Sequence, residues 1–92
     1  MGTAEPPAKP HSISLSFEYD DPARARTVER SLRQEVGEID DDRSRTSLRR
    51  EEAALEVTIE AADLVALRAA GNTWLSLVSV AEEVAEVASR SY

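Results

Sequence analysis

From Ser12 to Tyr19 the chain alternates: Ile13, Leu15, Phe17 and Tyr19 are separated by Ser12, Ser14, Ser16 and Glu18. A period of two is the pattern of a strand with one buried face. Asp20-Asp21-Pro22 follows, a carboxylate cap with proline in the first turn, which predicts a helix start. This helix is predicted to run to about Val36 and stop at Gly37, on a narrow apolar stripe of Ala25, Val28, Leu32 and Val36. Beyond the loop at 37–42 come two more strand-like runs, Arg43 to Arg50 and Ala53 to Ala61. In the second, Leu55, Val57 and Ile59 face one way while Glu56, Thr58 and Glu60 face the other. The first has only Leu48 as a clearly apolar inner residue. The short link Glu51-Glu52 makes the two a hairpin without a strong turn dipeptide. Asp63 then caps a last, long helix.

The order strand, helix, strand, strand, helix predicts a two-layer α+β fold. A right-handed crossover sets strand two parallel to strand one, and strand three fits antiparallel between them, in order 1-3-2. Both helices are expected on one face of this sheet. The other face presents Ser12, Ser14, Ser16, Arg43, Arg45, Arg49, Glu56, Thr58 and Glu60, a polar set suited to water. Residues 11–90 read as a single domain, and residues 1–10, with three of the four prolines, as a mobile tail.

The long helix carries the least expected pattern. At ~100° per residue, Arg68, Asn72, Ser76, Ser79, Glu82, Glu83 and Glu86 share one sector of about 120°, into which only Leu64, Val65 and Leu75 intrude. The rest of the circumference is almost wholly apolar, with Thr73 its one polar member. A helix lying on a sheet needs a stripe of only a little over 100°. About 26 helical residues span roughly 39 Å against about 27 Å for an eight-residue strand, so the helix should overhang the sheet. Either a generous internal core absorbs this surplus, or Leu77, Val80, Ala81, Val84 and Val87 dock on another polypeptide, since a small monomer rarely leaves so large an apolar patch in water.

Composition narrows the functional classes. The 92 residues have no cysteine, which removes disulfides, thiolate chemistry and thiolate metal ligands and fits a reducing, cytoplasmic setting. No apolar run is expected to reach the ~20 residues that span a bilayer, and the first ten residues lack the apolar core of a signal peptide. Net charge is -7, and ten arginines stand beside a single lysine, Lys9. A lysine-poor, acid-rich surface is consistent with a protein kept soluble in high salt, and equally with an ordinary acidic protein. Acidity argues against avid nucleic-acid binding by the isolated chain. Yet the cations are concentrated: eight of them lie between Arg24 and Arg50, whereas Glu51 to Tyr92 holds eight acids against two arginines.

Catalytic constellations are weak or missing. His11 stands alone, and Gly2, Gly37 and Gly71 are isolated, so no phosphate-binding loop is present. Asp40-Asp41-Asp42 lacks the spaced oxygen ligands of a calcium loop and reads as a solvated turn, so neither metal nor cofactor is expected. Arg26, Arg30 and Arg33 line one side of the first helix, and Arg43, Arg45 and Arg49 share the outer face of strand two. They suit either surface pairing with Glu29, Glu56 and Glu60, at ~1 kcal/mol or less per pair, or guanidinium contacts to phosphate.

A strand ending in Phe-Glu-Tyr, a helix containing "ARTVERSLRQE", an arginine-bearing hairpin and then "LRAAGNTWLSLVSVAEEV" together resemble the small Pcc-type subunit of the KEOPS complex. The resemblance covers about residues 12–88, and its most specific mark is Arg68, Asn72 and Thr73 ahead of an apolar helix. It implies a non-catalytic subunit of the assembly that makes the threonylcarbamoyl modification of tRNA adenosine. Such a subunit dimerises through its sheet, docks its helices on the helical N-terminal part of a sugar-kinase-fold catalytic subunit, and contributes to tRNA contact. Arg68 and Asn72, one turn apart, are expected to satisfy loop carbonyls or each other, or else to touch a partner. Two departures stand out: Gly71 occupies a position where the family has a larger apolar residue, and the chain is acidic for a protein near tRNA. The alternative reading is a free-standing RNA-binding α/β module that uses Arg43, Arg45 and Arg49; a metabolite-binding or enzymatic domain is disfavoured.

Overall fold

The computed structural model describes residues 9–38 and 40–90. The expected tail lies outside the described residues except for Lys9 and Pro10, which precede the first strand. The elements are β1 (His11–Glu18), α1 (Pro22–Arg33), β2 (Ser44–Glu51), β3 (Ala54–Ala61) and α2 (Leu64–Arg90). β1 and β2 both pair antiparallel with β3, giving the order β1-β3-β2 anticipated from the crossover argument.

Local chemistry fixes the ends. The Asp21 side chain accepts the Arg24 N–H at 2.8 Å, and Pro22 opens α1 behind it. Asp63 does the same for α2, accepting the Ala66 N–H at 2.8 Å while its carbonyl accepts from Leu67. α1 stops at Arg33, three residues before the predicted Val36, and the chain continues in turns bonded Glu35 to Leu32 and Val36 to Arg33. Gly37 at φ 90° then reverses the chain. The β2–β3 hairpin turns through Glu52 and Ala53, and Glu52 takes the left-handed conformation at φ 56° with no glycine or asparagine to ease it.

The alternation of β1 and β3 sends Leu15, Phe17, Leu55, Val57 and Ile59 to the face on which the helices lie. Trp74 is fully buried among them, with Val28 and Leu32 from α1 and Ala70 and Val78 from its own helix. On the outer face the strand register forms three rows: Ser12–Glu60–Arg45, Ser14–Thr58–Ser47 and Ser16–Glu56–Arg49. The Ser14 and Thr58 hydroxyls are hydrogen-bonded at 3.3 Å.

α2 corrects one expectation, because its 27 residues are long and apolar enough to cross a bilayer by length and composition. In this fold one stripe of the helix packs in the core, and Glu82, Glu83 and Glu86 occupy another side. The far end of α2 also rests on more than the sheet. Ala81 and Ala85 are buried, the Tyr19 hydroxyl donates to Glu82 at 2.8 Å, and Arg24 at the start of α1 donates to Glu86 at 2.6 Å. Part of the apolar surplus is therefore absorbed inside the chain.

Candidate interaction surfaces

Three sides of α2 have different fates. The core side is Ala70, Trp74, Val78, Ala81 and Ala85, a spacing of three and four that keeps one stripe inward. Ala81 therefore does not belong to the outward docking stripe in which the sequence placed it; its small side chain lets α2 approach the rest of the core. Leu77 is half-buried against the same core. Val80, Val84 and Val87 remain outward at 56%, 52% and 60% exposure, as the surplus argument requires.

The polar side carries the family mark. Arg68 and Asn72 are exposed, and neither side chain makes a hydrogen bond or ion pair among the described residues. The expectation that they tie the helix to loop carbonyls or to each other is thus not what the fold does with them. Thr73 is also exposed, and its hydroxyl donates to the Ala69 carbonyl one turn back at 3.0 Å. Along this side the fold also leaves Leu64 at 62% and Leu75 at 48% exposure, with Ile13 of β1 at 40%. Leu64 and Leu75 were legible as apolar intrusions in a polar sector; Ile13 was not, because its inward alternation predicts burial.

The arginines divide. Arg43, just before β2, is ion-paired with Asp63 at the start of α2, and so serves the hairpin–helix junction. Arg45 lies across from Glu60 without an ion pair among the described residues, and Arg49 approaches Glu51 at 3.9 Å on a well-exposed surface. Glu29 of α1 accepts from both Arg33 at 2.6 Å and Arg50 at 2.8 Å, fastening α1 to β2. These two guanidinium groups hold its carboxyl below the usual carboxylate range, and Arg24 does the same for Glu86. Burial, then the Glu82 carboxylate, pushes the Tyr19 phenol above its ordinary value. Arg26 and Arg30 stay exposed with no ion pair among the described residues. Pairing with Glu56 and Glu60, one of the two sequence expectations for the sheet-face arginines, does not form among these residues. No group of three metal-ligating side chains occurs among the described residues.

Fold and surface define a small two-layer α+β module whose outward chemistry is concentrated on one over-long helix. The chain belongs to the Pcc1 family: the profile described as transcription factor Pcc1 matches residues 12–86. Its fold is that of a chain in the crystal structure of the binary complex Gon7-Pcc1, at a TM-score of 0.72 and 14% identity, covering 85% of this chain and 95% of that one. A comparison with curated proteins finds no match.

Proposed function

We propose that this chain is the non-catalytic, dimeric scaffold subunit of a cytoplasmic KEOPS complex, which carries out threonylcarbamoyl modification of tRNA. Membership of the Pcc1 family supports the assembly, and the binding of a Pcc1 chain by Gon7 in the related crystal structure supports a role in holding partners. The observation that carries the docking surface is the outward stripe of Val80, Val84 and Val87, with Leu77 at its border, on a helix whose core stripe is already satisfied. In this reading that stripe meets the helical N-terminal part of the sugar-kinase-fold catalytic subunit. Full burial of a valine side chain is worth about 1.5–3 kcal/mol, and Val80, Val84 and Val87, already about half covered, gain only part of that on docking.

The RNA-module reading is less well supported. Arg43 is committed to Asp63, which leaves Arg45 and Arg49 on a face that also carries Glu56 and Glu60. Contact with tRNA is accordingly proposed within the assembled complex. The test is co-purification with the catalytic subunit, comparing the wild type with Val80→Asp plus Val84→Asp. The double variant should stay folded and lose the partner; a folded double variant that binds as the wild type does would refute the docking surface. For the alternative, tRNA binding by the isolated chain that vanishes on Arg45→Glu would favour the free-standing module.

A further inference from the structure

α2 outruns the sheet that supports it. It starts just after Ala61, which pairs with His11 at one end of β1, and Tyr19, the residue after the other end of β1, meets Glu82. The turns from Glu83 to Arg90 therefore run on past the last strand residues, over roughly 12 Å of helix axis. Along them only Ala85 is buried, and Val84 and Val87 of the outward stripe are more than half exposed. A helix end with so little packing frays unless something outside it holds it.

Two side chains do so. The Tyr19 hydroxyl donates to Glu82 Oε2 at 2.8 Å, and the Arg24 guanidinium donates to Glu86 Oε2 at 2.6 Å. Both donors are themselves fixed where β1, the β2–β3 turn and α1 converge. The Tyr19 N–H bonds the Ala53 carbonyl at 3.0 Å and its side chain packs against the core, while Arg24 sits in the first turn of α1 with its N–H capped by Asp21. At ~100° per residue the two acceptors lie on one flank of α2 and Val80, Val84 and Val87 on the nearly opposite one, with the buried Ala81 and Ala85 on the arc between. Alanine methyl groups let the helix approach closely but set its rotation only loosely. A hydrogen bond weakens steeply as its angle opens, so two of them one turn apart fix both the rotation of this segment and its lean.

We infer that Tyr19 and Arg24 are positioning residues for partner docking: they hold the overhang of α2 helical and turned so that Val80, Val84 and Val87 face outward together before the partner arrives. This rests on the docking reading above and adds how that surface is prepared. A surface ordered beforehand binds more tightly, because less conformational freedom is lost on association. The Arg24–Glu86 pair, with side chains 28% and 49% exposed, adds little to global stability, so its effect falls on local order.

In the full chain, Tyr19→Phe with Arg24→Met keeps the ring and much of the stem and removes both donors. This double variant should melt within a few degrees of the wild type. Its amides at 83–90 should exchange about tenfold faster, and it should bind the catalytic subunit about tenfold more weakly. Arg24→Glu suits the first turn of α1 and Glu86→Arg the last turns of α2. Either alone should weaken binding, and the two together, which restore the pair with its charges exchanged, should return exchange and affinity toward the wild type. A double variant of Tyr19 and Arg24 whose distal amides exchange as in the wild type, or that binds the partner equally well, overturns the positioning role and leaves the docking reading intact. So does a folded charge-exchanged chain that recovers neither property, which keeps the test decisive if the first variant loses its fold. A wild type that does not bind the catalytic subunit overturns both.

Discussion

Two residues show how local choices set stability in this chain. Glu52 holds the hairpin turn at φ 56°, a conformation that costs a side chain other than glycine or asparagine roughly 1 kcal/mol. Glu52→Gly is therefore expected to raise stability by about 0.5–1 kcal/mol, read from the denaturant midpoint at unchanged slope. Glu29 works through charge. Its folded-state pKa is depressed by Arg33 and Arg50, so its contribution is fully present above the ordinary carboxylate value and is lost as pH falls through the depressed one. Acid unfolding should therefore begin as pH drops below about 4.5, and Glu29→Gln should flatten the stability–pH curve in that window. An unaltered slope would show that the α1–β2 fastening adds nothing. At the core, Trp74 is fully buried, and Trp74→Ala is expected to cost about 3–5 kcal/mol in chemical denaturation.

At the scale of elements, α2 explains both what the sequence made legible and what it did not. The alternation of Ser12 to Tyr19 and Ala54 to Ala61 gave the strands, and Asp21 and Asp63 gave the helix starts, because each signal is local. The end of α1 was placed too late because Val36 continues the apolar spacing, while the chain there leaves the helix through turns before Gly37. The outward stripe of α2 was legible from its width, but Ala81 was assigned to the wrong side. A helical wheel orders residues around an axis without fixing how far the buried arc extends, and Ala81 falls on the arc of Ala70, Trp74 and Ala85 that the core covers. That the Arg68 and Asn72 side chains bind neither each other nor a loop among the described residues is not legible in the sequence, since one-turn spacing permits contact without requiring it. These assignments separate on substitution: Val80→Asp with Val84→Asp should leave the melting transition within a few degrees of the wild type. Val78→Asp, which buries an unpaired carboxylate in the core, should abolish cooperative unfolding.

For the whole molecule, charge and apolar surface act together. A net charge of -7 on 92 residues repels itself in dilute buffer, so added salt should raise the melting temperature progressively over the range where the screening length shrinks from ~30 Å to ~3 Å. A flat response would remove the high-salt reading of its composition. The exposed valines of α2 need cover that this small core does not supply, and the scaffold account assigns Val80, Val84 and Val87 to the catalytic subunit. The most direct test is the mass of the complex formed with the catalytic subunit, measured by sedimentation equilibrium in the salt that best stabilises the chain. The account expects a two-to-two assembly built on a dimer of this chain, reduced to that dimer alone by Val80→Asp with Val84→Asp. A one-to-one complex, or no complex with a folded catalytic subunit, would contradict it.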